Sequence, residues 1–492
     1  MPSRLLYVGS SYQDEQVYLC DTSHQVIPYQ PYATLSYCWG GEPNTKLLQQ
    51  NLEALMQIVP LEVLPKTFKD AVKLVQHLGI RYIWIDALCI IQDSEEDWRQ
   101  ESLLMNKVYR YSTLNIAASD ASDSNGGCFF NRDPSIRPDI GFVKEEDGTL
   151  TPYYFVQVRS GLLAVFEEGP LYRRAWVLQE RMLPARLLHC GKTQLTWQCR
   201  ETSASEEYPK SRPEDGTLYL RQVFWLLMSD PNAASKVVET HSVRSDSTAA
   251  AVNLLQRLWR RLVELYSSCF LTNPGDKLMA IAGLAVGMQP ILGEYLAGLW
   301  ETALPRDLLW VTTLSLPGSP PARRSPVYRA PSWSWASIDG KIDYRFPGAI
   351  GQDHVSSIER YEVVGSVGEV TFGFLRIRGK LRAARLGTDK STGEESSNHQ
   401  DDAGCGTIHL IVRRGSEQTF IDDLYDYNHP SEDVHVLPIS RRNPKAGDSE
   451  LDYICLVLRK NQLSQFHRIG LCKLEFRNEE FEAWDDYIVN IY

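Results

Sequence analysis

Asp86, Cys89, Gln92 and Asp93 crowd the end of the apolar run in IRYIWIDALCIIQD, residues 80–93. An acid, a thiol, an amide and a second acid at one strand end offer proton transfer and hydrogen bonding to a bound molecule. Two other stretches carry comparable sets. YATLSYCWGG, 32–41, ends in Ser36, Tyr37, Cys38, Trp39 and Gly40, where an indole can lie against a flat ligand. RRAWVLQER, 173–181, gathers Arg174, Trp176, Gln179, Glu180 and Arg181. There the arginines can grip an anionic group, with Glu180 orienting them or exchanging a proton. Asp86, Glu180 and Glu101, the last lying one turn into the segment after Asp93, are the candidate catalytic acids. Ser36, Tyr37, Trp39, Gly40, Cys89, Gln92, Arg174, Trp176, Gln179 and Arg181 are the candidate ligand-binding residues. Cys89 lies between apolar neighbours with no adjacent His to activate it, so packing is its alternative role.

Other chemistries lack their residues. The closest cysteine pair, Cys190 and Cys199, does not have the spacing of a tight metal knuckle. The histidines form no recognisable relay, and Gly40-Gly41 and Gly126-Gly127 lack phosphate-loop or dinucleotide spacing. No metal and no required cofactor are expected, which leaves acid/base work by carboxylates.

These residues need elements to place them. The 32–40 stretch reads as a strand opening into a glycine turn. LPKTFKDAVKLVQHLG carries Phe68, Ala71, Val72, Val75 and Leu78 at helical spacing between Pro65 and Gly79. IRYIWID reads as a strand covered on both faces. Ser94, with Asp97 three residues on, caps a helix to about Arg110 that buries Trp98, Met105, Val108 and Tyr109. TLNIAAS, 113–119, is a third strand, and Ser119 and Asp120 lie at its end. Strand–helix–strand–helix–strand predicts a parallel α/β sheet, whose ligands bind outside the carboxyl ends of the strands. RRAWVLQERML then reads as a short helix, followed by strands ARLLHC and QLTWQC. Helical signals fill 215–315, and beyond the Pro-rich connector 315–326 short strands predict a β-rich module, with a polar, mobile insert at 388–404. The expected divisions are 1–30, 31–210, 211–320 and 321–492.

With 492 residues the chain should hold two or three domains. A net charge of −11 with no basic stripe argues against nucleic acid. No stretch has the apolar length of a membrane span or a secretory leader, so a cytoplasmic protein with reduced thiols is expected.

YATLSYCWGG, LPKTFKDAVKLVQHLGIRYIWIDALCIIQD, MNKVYRYSTLNIAA and RAWVLQERMLPARLLH…WQCRE, in this order over about residues 30–200, resemble the heterokaryon-incompatibility (HET) domain of filamentous fungi. TNPGDKLMAIAGLA, APSWSWASIDG and FHRIGLCKLE resemble segments that commonly follow it. The resemblance implies a flavodoxin/TIR-like parallel sheet, a fungal protein of non-self recognition and programmed cell death, and, through similarity to TIR domains, NAD as a substrate cleaved at its nicotinamide glycosidic bond with a glutamate. The chain departs from the family at Ile91, where Asp is usual. Two alternatives stand beside this reading. One is a cofactor-free enzyme of secondary metabolism that cyclises or isomerises a hydrophobic product; the other is a non-catalytic module that binds a protein partner. Oligomers are compatible with all three.

Overall fold

The computed structural model describes residues 1–9, 16–22, 30–41, 45–131, 139–145, 147–155, 169–206, 209, 221–226, 247–313, 321–346, 352–388, 408–412, 419–422, 434–442 and 451–492. The polar insert read as mobile, beyond its first residue Thr388, and the first half of the Pro-rich connector lie outside them. The chain divides into two compact units, Met1–Ser229 and Asp230–Tyr492.

The first unit is built on an eight-stranded mixed sheet. Its strands are β1 (Arg4–Tyr7), β2 (Tyr18–Asp21), β3 (Tyr32–Ser36), β4 (Tyr82–Trp84), β5 (Leu114–Ala117), β8 (Arg186–Cys190), β9 (Leu195–Cys199) and β10 (Ser203–Ser205); β6 (Asp139–Lys144) and β7 (Leu150–Phe155) form a separate hairpin. The order is β10-β9-β8-β5-β3-β4-β1-β2. β3 runs parallel to both β4 and β5, and β5 parallel to β8. All five residues of β3 are buried, as a strand covered on both faces requires. The segment before residue 30, read as lying ahead of the domain, supplies β1 and β2. Leu6 pairs with Ile83 and Tyr7 with Tyr82, antiparallel to β4.

Four helices connect these strands before residue 111: α1 (Leu52–Gln57), α2 (Lys66–His77), α3 (Asp86–Cys89) and α4 (Glu95–Arg110). α2 starts after Pro65, buries Phe68, Ala71, Val72 and Val75, and ends at Gly79, whose φ of 70° suits the reversal. Ser94 caps α4, accepting the Asp97 N–H at 3.3 Å, and acids fill its first turn while Lys107 and Arg110 sit in its last. The strand expected over IRYIWID pairs only over Tyr82–Trp84. Asp86 Oδ1 accepts the Ala87 N–H at 2.6 Å and turns the chain into α3 instead.

The second unit packs α6 (Ser247–Ser267) and α7 (Met279–Leu292) with a tryptophan core. The indoles of Trp259 and Trp335 both donate to the Gly298 carbonyl, at 2.9 and 2.8 Å. Gly298 has φ 103°, and a Cβ there would lie 2.7 Å from Trp335 Nε1, so only glycine fits between them. Lys277 is buried and donates to the Ile338 carbonyl; burial pulls its pKa down to about 7. Ten strands then make one sheet: β11 (Gln352–His354), β12 (Ser357–Gly365), β13 (Val370–Lys380), β14 (Arg382–Thr388), β15 (Ile408–Val412), β16 (Thr419–Ile421), β17 (Val434–Arg442), β18 (Leu451–Lys460), β19 (Phe466–Phe476) and β20 (Asp486–Ile491). Their main order is β12-β13-β20-β19-β18-β17-β14-β15, with β11 on β17 and β16 on β19. Among the described residues no helix is long and apolar enough to cross a membrane.

Candidate functional site

The chain leaves β3 for β4 on one side and returns past it to β5 on the other. A crevice is expected where these connections diverge, outside the carboxyl ends of the strands. Ser36, Tyr37 and Trp39 follow β3, Asp86 follows β4, and η-turn Pro170–Arg173 leads into α5 (Val177–Met182), which carries Glu180. Arg174, between that turn and α5, donates to the Tyr37 carbonyl and so ties the last segment to the end of β3. Asn115 in β5 donates to the Glu180 carbonyl at 3.0 Å and to Ser36 Oγ at 3.0 Å, and accepts from Thr34 Oγ1 at 2.9 Å.

Two carboxyls share this corner. Asp86 is held at both oxygens: Trp39 Nε1 donates to Oδ2 at 2.8 Å and the Ala87 N–H to Oδ1 at 2.6 Å. Its side chain retains some surface yet is densely surrounded by protein, and this burial raises its pKa, against the pull of Arg174, Trp39, Tyr37 and Ala87. Glu180 is 6% exposed. Burial pushes its pKa up to about 7; Arg174 and Ser36 work against this, Asp86 adds to it, and Tyr109 lowers it. A carboxyl that titrates near neutrality can give and take a proton at physiological pH. Asp86, with both oxygens engaged, is better suited to hold charge and orientation.

The sequence-derived candidates therefore separate. Ser36, Tyr37, Trp39, Asp86, Arg174 and Glu180 are linked at one corner: Arg174 donates to the Tyr37 carbonyl and acts on Asp86 and Glu180, Trp39 donates to Asp86, and Ser36 bonds Glu180. Gln92 is one step back, its amide donating to the Asp86 and Ile90 carbonyls at 3.1 and 2.9 Å. Gly40 has φ 75° and lets the 120–127 loop close over the end of β3, since a Cβ there would lie 2.3 Å from Asp123 Cβ. Trp176 is partly exposed just before α5, and Gln179 is buried on it. Glu101 belongs to another group: Arg4 contacts Glu101 at 3.7 Å and Asp97 at 2.6 Å, and donates to the Cys89 carbonyl at 2.7 Å. The Cys89 thiol is buried and pushed up to about 12, which removes it as a nucleophile at neutral pH. Arg181 lies 4.7 Å from the Tyr172 ring centre, in a separate chain in which Tyr172 joins Ser119 at 2.9 Å and His189, and His189 joins Gln198 at 3.2 Å.

Sequence reading passed over Tyr109 and Asn115. Tyr109 had the position of an ordinary buried helix residue. Asn115, a polar residue in the middle of an all-buried strand, was the available signal, because such a side chain must find partners. Among the described residues no group of three or more His, Cys, Asp or Glu could hold a metal ion.

Residues 32–180 match the model of the family described as Heterokaryon incompatibility protein (HET). The chain matches none of the curated proteins and none of the solved structures with which it was compared.

Proposed function

With residues 32–180 forming a heterokaryon incompatibility (HET) domain, we propose that the strand-end site cleaves the bond between ribose and nicotinamide in NAD, as a cytoplasmic step of fungal heterokaryon incompatibility and cell death. The observation that carries this reading is Glu180, buried, titrating near 7 and sharing Arg174 with Asp86 at the ends of β3 and β4. The strand order β4-β3-β5-β8, with the chain reversing at β3, is the doubly wound order expected of a TIR-like sheet and supports the same reading.

In the proposed reaction Arg174 pairs with a phosphate of the substrate and Trp39 bounds the base. The C1′–N bond breaks with its electron pair going to the nicotinamide nitrogen, which leaves uncharged. Ionised Glu180 stabilises the cationic ribose, water bonds to C1′, and Glu180 takes the water's proton. The products are ADP-ribose, nicotinamide and one proton. The Ile91 N–H donates to Asp97 Oδ2 at 2.7 Å, on the Arg4 side of the sheet end.

Incubation of the purified protein with NAD, alone and after assembly, tests the proposal by release of nicotinamide; no release in either state overturns it. Trp39→Phe removes the donor to Asp86 and is expected to lower kcat by about tenfold while leaving the circular dichroism spectrum unchanged. An unaltered kcat would exclude a contribution from the Trp39–Asp86 bond.

A further inference from the structure

β12 is the terminal strand of the second unit's sheet, and among the described residues it pairs only with β13. Its inner face is anchored, with Tyr361 opposite the fully buried Leu375. Its outer face is open. Arg360 and Glu362 are 62% and 46% exposed, and Val364 beside them is 46% exposed. Val364 pairs with Phe372, whose ring lies 6.2 Å from Phe374 and 6.1 Å from Tyr492, so an aromatic surface borders this edge. Within the sheet, Arg360 stands directly opposite Arg376, a like-charge pair that costs stability. Arg376 has Asn490 at 3.0 Å, whereas Arg360 has its own strand's Glu362 at 3.5 Å and the Phe374 ring centre at 5.8 Å.

We infer that the protein forms a two-fold homodimer by antiparallel pairing of β12 with β12 of a second copy, centred on Tyr361. In that register residues whose numbers sum to twice 361 face each other, so Arg360 meets the partner's Glu362 and Glu362 meets the partner's Arg360. Centring on Arg360 or Glu362 instead would oppose like charges across the axis. An exposed edge carrying charge repels most strands, and here the charge pattern leaves this register favourable. Each copy's Arg360 then gains the carboxylate that its own sheet does not place opposite it, and unpaired backbone groups of both edges are satisfied.

Sedimentation velocity of the full chain over a range of concentrations is the test. Wild type is expected to dimerise. Glu362→Lys and Arg360→Glu should each weaken the dimer by at least about tenfold, and the double variant Arg360→Glu/Glu362→Lys should restore it. Both side chains are exposed, so thermal unfolding should show the variants folded. A monomeric wild type, single variants that dimerise as tightly as wild type, or a double variant that stays monomeric would each overturn the inference.

Discussion

Glu180→Gln is expected to lower nicotinamide release from NAD by at least about a hundredfold, because the amide neither stabilises a cationic ribose nor accepts a proton. The same substitution should make the protein more stable above neutral pH. Burial raises the Glu180 pKa from 4.5 to about 7. The folded state thus binds more protons than the unfolded state between these values, and stability falls as pH rises from below 4.5 through about 7. At about 1.4 kcal/mol per pKa unit the loss is up to about 3 kcal/mol. Glutamine carries no such loss. The difference in melting temperature between variant and wild type should be small at pH 4, grow through pH 7 and level off beyond it. A variant that loses activity and also loses stability at every pH would mark Glu180 as a packing residue. Glu101→Gln is the informative companion: it should leave kcat close to wild type, because Glu101 answers to Arg4 and Asp97 rather than to Arg174.

Asp422→Ala should produce a large loss of stability. Arg468 is fully buried, stacked 3.4 Å from the Trp310 ring centre, and gives Nε to Asp422 at 2.8 Å; its other nitrogens donate to the Leu308 and Trp310 carbonyls. Asp422 is equally buried. Removing the carboxylate leaves a guanidinium charge without its counter-ion in a site closed to water, at a cost of about 3–5 kcal/mol. Asp422→Asn keeps an acceptor and should cost less. Urea unfolding followed by tryptophan fluorescence would read both, and equal midpoints for Asp422→Ala and wild type would show that the pair contributes nothing net.

The strands and helices around the site were legible because their signals are local. Phe68, Ala71, Val72 and Val75 repeat at helical spacing, and Ser94 with Asp97 announces a helix start. The pairing of Leu6 with Ile83 was not legible, since nothing near either residue encodes a partner more than seventy positions away. The same limit applied to the acids. Asp86, Glu101 and Glu180 are all carboxylates in the sequence; what separates them is which arginine each one meets, Arg174 for Asp86 and Glu180, Arg4 for Glu101. That depends on the N-terminal hairpin, which brings Arg4 beside α4. Tyr109 and Asn115 acquire their meaning only when α5 is laid against β5 and α4.

The hairpin also decides how this domain can be handled as a fragment. The family match begins at residue 32, yet β4 takes β1 as its neighbour, and Leu5, Leu6 and Val8 are fully buried. A piece excised at residue 32 would expose the backbone of β4 as a sticky edge, bare the apolar surface those residues cover, and leave Glu101 and Asp97 repelling each other without their cation. Poor solubility of such a piece would reflect where it was cut, not the fold it carries, and cutting ahead of Arg4 is the remedy.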